Sequence, residues 1–66
     1  MEIHVNGQPR QIEVGTSVAD LLAELGVLAR HVAVEVNLEL VPRERHAEVG
    51  LNAGDRLEVV TLVGGG

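Results

Sequence analysis

Cysteine, lysine and all three aromatic residues are missing from this chain, and each absence closes a class of chemistry. Without cysteine, neither disulfides nor thiolate metal sites reinforce the fold. Without Trp, Tyr or Phe, the core is left to Val, Leu, Ile and Ala, and the stacking platforms that hold single-stranded nucleic acid are excluded. Without lysine there is no Schiff-base chemistry and no P-loop; the five basic residues are Arg10, Arg30, Arg43, Arg45 and Arg56. Long hydrophobic runs are lacking too. None approaches the ~20 apolar residues of a membrane span. Met1 to Val5 alternates like a strand and does not resemble a signal peptide, so a cytoplasmic location is expected.

What remains is a 66-residue chain with a net charge of −5. A chain this short forms one domain with a small core, burying roughly 60% of the surface its unfolded form exposes. The negative balance disfavours phosphate backbones as partners. It suits docking on a basic patch of another protein.

Ile3 and Val5 alternate with Glu2 and His4 as a half-buried strand. Asn6-Gly7 follows, a strong hairpin signal. Ile12 and Val14, alternating with Gln11 and Glu13, extend the second strand to Gly15, with Pro9 early in it where a missing donor is tolerated. Val18, Leu21, Leu22 and Leu25 fall at i, i+3, i+4 and i+7, the stripe of an amphipathic helix. Ser17 with Asp20 resembles a capping box, Thr16 is a rival N-cap, and Gly26 suits the C-terminal cap. At under three turns this helix needs a sheet to pack on. Val32, Val34 and Val36 mark a third strand, and Leu38 to Val41 a short fourth that Pro42 ends. Arg43 to His46 reads as a charged connector or helical turn. Val49 and Leu51 are expected to cover an open end of the core, and Arg56 to Leu62 forms the last strand after the Asn52-Ala53-Gly54-Asp55 turn.

Strands on both sides of one helix predict an α+β layer: a mixed sheet of four to five strands against one helix, with the first and last strands parallel at its centre. That is a β-grasp. Residues 1–62 form the domain and residues 63–66 a flexible glycine-rich tail.

The side chains offer no catalytic set. Carboxylates are scattered singly, with Glu2, Glu13, Glu35 and Glu58 at outward strand positions. His4, His31 and His46 lack metal-site spacing and read as surface histidines; no metal or bound cofactor is expected. The last strand says more. If Leu57 and Val59 face the helix, Val60 and Leu62 lie on the open face of the sheet, a pattern suited to docking. Beyond them Val63 leads into Gly64, Gly65 and Gly66. Glycine has no Cβ, so such a stalk enters channels too narrow for other residues and presents an α-carboxylate as the reactive group. A frayed terminus is the plain alternative.

Val5-Asn6-Gly7, Val34-Glu35-Val36-Asn37, Val41-Pro42-Arg43-Glu44, Gly54-Asp55-Arg56-Leu57-Glu58 and Val63-Gly64-Gly65-Gly66 together resemble the thiamine-pathway sulfur carrier family, ThiS. The resemblance covers essentially the whole chain. It implies the ubiquitin-like β-grasp and a protein co-substrate in place of an enzyme. An adenylyltransferase of the ubiquitin-activating type (ThiF type) would use MgATP to adenylate the Gly66 carboxylate. A persulfide donor charged by a cysteine desulfurase would convert it to a thiocarboxylate. A thiazole synthase (ThiG type) would then take the sulfur. Gly66 carries the sulfur, Gly65 and Gly64 give the slim insertion, and Val63, Leu62 and Val60 contact the partners. The chain departs from some relatives in having Thr61-Leu62-Val63, with no aromatic, before the tail.

The nearest rival is the small subunit of molybdopterin synthase, whose chains are usually longer and commonly carry Pro before the Gly-Gly. Carriers for other sulfur pathways differ by partner more than by residue. A ubiquitin-like binding module that is never activated, or one that conjugates to other proteins through Gly66, are rivals of another class.

Overall fold

The hairpin forms where Asn6-Gly7 predicts it. In the computed structural model, which describes residues 1–62, strand β1 (Glu2–Val5) pairs antiparallel with β2 (Gln8–Gln11). Asn6 and Gly7 both take positive φ, 51° and 81°, the signature of the turn that matches strand twist. Pairing runs one step past β2 through the Met1 and Ile12 backbones. It stops earlier than the sequence alternation suggests, since Thr16 Oγ1 donates to the Glu13 carbonyl at 2.7 Å and Gly15 turns the chain at φ 94°. Ile12 therefore enters the core, whereas Val14 is 84% exposed.

Helix α1 (Val18–Leu25) opens on the expected capping box. Asp20 N–H donates to Ser17 Oγ, and Ser17 N–H donates to Asp20 Oδ2, each at 3.0 Å. The Ser17 amide, and after it the Ser17 hydroxyl, holds the Asp20 carboxyl below its ordinary value of 3.8. Thr16 is not a cap; it is buried. The other free amides of the first turn find acceptors outside the helix, Val18 N–H on Val49 O and Ala19 N–H on His46 O, so that end is satisfied without water. At the far end Gly26 sits at φ 75°. Its N–H donates to Ala23 O while Val27 N–H reaches back to Leu22 O, the paired bonds of a Schellman motif.

After a 3-10 turn at Ala29–His31, which the sequence pattern does not announce, the chain forms β3 (Val32–Val36) and β4 (Glu39–Val41). Their turn is again left-handed, with Asn37 at φ 52° and Leu38 at 72°. A second 3-10 turn spans Arg43–Arg45, as the charged connector suggests. Strand β5 (Arg56–Thr61) then enters the middle of the sheet, giving the order β2-β1-β5-β3-β4. It runs parallel to β1 and antiparallel to β3. This is the expected β-grasp.

The core forms between one face of that sheet and α1. Ile3, Val32, Val34 and Leu57 meet Val18, Leu21 and Leu22, with Ile12 and Leu51 closing the ends. One histidine corrects the surface reading: His46 is only 4% exposed. Its Nε2 lies 3.2 Å from the Val41 carbonyl and its own carbonyl caps α1. The ring thus ties the 3-10 connector to β4 from inside, a role its sequence neighbours Arg45 and Ala47 do not reveal.

Candidate functional site

Strand β5 carries the candidate site because its alternation separates two environments. Leu57 is 1% exposed and points toward α1, while Val60 is 56% and Leu62 45% exposed. Arg56, Glu58, Val60 and Leu62 therefore share the sheet face that no helix covers. The backbone beneath them is held in two places. Leu62 N–H donates to the His31 carbonyl at 2.8 Å, which fixes where the chain leaves the sheet. Within the strand the Asn6 amide acts as a strand in miniature. Its Nδ2 donates to Val59 O at 3.1 Å and its Oδ1 accepts from Val59 N–H at 2.8 Å, continuing the ladder that runs from His4 N–H on Asp55 O to Asn6 N–H on Leu57 O.

A second asparagine does related work. Asn37 N–H donates to Arg56 O at 2.7 Å and Asn37 Oδ1 accepts from Arg56 N–H at 3.0 Å. Its Nδ2 donates to Asp55 Oδ1, and Asp55 Oδ2 accepts from Asn52 N–H. The buried Asp55 carboxylate thereby joins the β3–β4 turn to the turn that precedes β5. A left-handed backbone and a short amide are both needed at these two positions, and asparagine supplies both.

The open face itself is apolar with an acidic centre. Register places Glu35 opposite Glu58 on one side and opposite Leu40 on the other; in the next row Ala33 lies opposite Val60. Glu35 is half-buried, whereas Leu40 is 66% exposed and Leu38, on the turn beyond it, 88%. The two ion pairs among the described residues, Arg10–Glu24 and Arg45–Glu48, leave Glu35 and Glu58 without a partner. Like charges directly opposed across strands disfavour the pairing that brings them together.

Among the described residues no group of His, Asp and Glu converges as a metal site. His4, His31 and His46 sit on separate elements. Of the predicted site residues, Val60 and Leu62 lie side by side on the open face as expected. Val63, Gly64, Gly65 and Gly66 fall outside the described residues. Leu38, Leu40 and the Glu35–Glu58 opposition were not legible as parts of this face. β4 has three residues, too few for alternation to assign a side, and cross-strand neighbours depend on register, which a single strand does not encode.

Comparison with known proteins places these features in context. A family model described as "ThiS family" matches residues 3–66. A thiazole synthase of Paramagnetospirillum magneticum is 48% identical over 66 residues, all of this chain but 20% of that protein; the chain spans about a fifth of its length. The sulfur carrier protein ThiS of Escherichia coli (strain K12) is 32% identical, with 100% of both chains covered. Among solved structures, that of the thiamine biosynthesis protein ThiS from Geobacter metallireducens superposes with a TM-score of 0.86 at 35% identity, covering 100% of each chain.

Proposed function

The chain belongs to the ThiS family, and from that premise we propose that it is a sulfur carrier of thiamine biosynthesis whose working group is the α-carboxylate of Gly66. The observation that carries this reading is the family match across residues 3–66, which runs through Gly64, Gly65 and Gly66. A carboxylate is a poor electrophile, so the first step is activation. A ThiF-type adenylyltransferase transfers AMP from MgATP to the Gly66 carboxylate, and pyrophosphate leaves. A persulfide donor, charged by a cysteine desulfurase, attacks the acyl carbon and displaces AMP; a thiol then cleaves the sulfur–sulfur bond, leaving a thiocarboxylate. That sulfur is more nucleophilic than the oxygen it replaced. A ThiG-type thiazole synthase consumes it, and Gly66 returns to a carboxylate. The chain is a co-substrate throughout, and the chemistry belongs to its partners in the cytoplasm.

Two observations support the partner assignments. A protein named thiazole synthase contains a stretch 48% identical to this chain, which favours a thiazole synthase as the acceptor. Val60 and Leu62 are exposed on the strand that leads to the glycines, where an enzyme gripping the domain would direct Gly65 and Gly66 into its active site, with Val63 at the entrance.

The test is the intact mass of the protein after incubation with a ThiF-type enzyme, MgATP and a persulfide source. One oxygen-to-sulfur exchange located on Gly66 is expected, and extension by one residue beyond Gly66 should abolish it. Absence of both adenylate and exchange, with the enzyme active on a control carrier, would overturn the reading. Val60→Asp should leave the fold intact and slow activation; unchanged activation would remove Val60 from the docking surface.

A further inference from the structure

The carrier reading explains Val60 and Leu62 but not the two carboxylates beside them. Glu35 and Glu58 face each other across β3 and β5, flanked by Leu40 on one side and by Val60 and Ala33 in the next row. The nearest cation on this face is Arg56, two residues before Glu58 and in register with His4; it makes no ion pair with either carboxylate. In the free protein this opposition works against the sheet. Next to exposed leucine and valine it is also the complement of a definite shape: a cation emerging from an apolar surface. A guanidinium fits best, since its planar fork offers two pairs of donors and spans two carboxylates at once.

We propose that the open face docks the activating enzyme by receiving an arginine of that enzyme between Glu35 and Glu58, with Leu40, Val60 and Leu62 packing around it. The proposal rests on the carrier reading and adds the residues that choose the partner. The excess of acid over base in the whole chain, 10 Asp and Glu against 5 Arg, steers the approach in the same sense. Once docked, the apolar rim would exclude water from the pair, which makes each charge count for more than it does in the open.

Adenylation kinetics decide the matter, read as pyrophosphate exchange at increasing concentrations of the chain. In the double variant Glu35→Gln, Glu58→Gln the KM is expected to rise at least about tenfold with kcat little changed, the mark of a lost docking charge. The KM of the parent chain should climb with added NaCl, and that of the double variant should climb distinctly less steeply, since only the whole-chain acidic excess is left to be screened. Glu58→Lys gives a sharper version. It sets opposite charges across β3 and β5, so thermal stability is retained or raised, yet it repels the incoming arginine and raises KM further. A KM in the double variant within about twofold of the parent, with the same salt dependence, would overturn the proposal.

A second probe needs no activating enzyme. Acetyl-Leu-Arg-Val-amide, titrated into ¹⁵N-labelled chain, should shift the amides of Ala33, Glu35, Leu40, Glu58 and Val60, and should lose that pattern in the double variant. Shifts that are diffuse, or equal in both proteins, would overturn the proposal. Failure of the parent chain to be adenylated at all would instead strike the carrier reading, and the peptide titration would then decide the docking site alone.

Discussion

Two asparagines show how much one side chain decides here. Asn6 occupies a left-handed turn position and spends its amide on both backbone groups of Val59. Replacing Asn6 with Asp keeps the acceptor and the turn preference but removes the donor, and sets a carboxylate against the Val59 carbonyl. Urea unfolding at neutral pH should show a loss of about 1–2 kcal/mol, the scale of one or two backbone hydrogen bonds; an unchanged midpoint would mean that the clamp is incidental. Asn6-Gly7 was legible as a hairpin because the dipeptide's φ preferences are local. The clamp was not, because its partner lies 53 positions away. The same holds for His46. Its neighbours in sequence are charged or small, and only the path of β4 places the Val41 carbonyl at its ring.

At the scale of the element, α1 was the most readable part of the chain. Its stripe, capping box and Gly26 stop are local signals that agree with one another, and the structure keeps all three. The second strand was the least, because alternation continued through Ile12 and Val14 after the Thr16 hydroxyl had already turned the backbone. The capping box also predicts an acid response. The folded Asp20 carboxyl is held below 3.8 by the Ser17 amide and hydroxyl. A depressed carboxylate contributes stability above its unfolded value, and loses it as pH falls through the folded one. Far-UV circular dichroism should therefore show α1 loosening below about pH 3.8, and Asp20→Asn should flatten that part of the curve. An acid limb identical in both proteins would assign the transition to other carboxylates. Of the candidate site, β5 was readable from its own alternation, whereas the acidic pair beside it emerged only from register.

The whole molecule has little core to spare. One short helix covers one face of one sheet, and no disulfide or aromatic stands in reserve. Leu22, only 3% exposed, sits where that helix meets the sheet. Leu22→Ala should cost roughly 2–5 kcal/mol, enough in a domain of ordinary marginal stability to unfold much of the population; a near-neutral thermal midpoint would contradict the packing. Every strand but β2 and β4 depends on β5, which joins β1 on one side to β3 on the other. Yet of the described strands β5 is the last to be synthesised. A ribosome making this chain releases β1, α1 and β3 with the slot between β1 and β3 still empty, and nothing earlier in the sequence fills it. Native structure therefore waits for the C-terminal segment, and a nascent chain stalled before Arg56 adds the unpaired inner edges of β1 and β3 to the outer edges of β2 and β4, with an uncovered apolar face to offer to a chaperone or a protease.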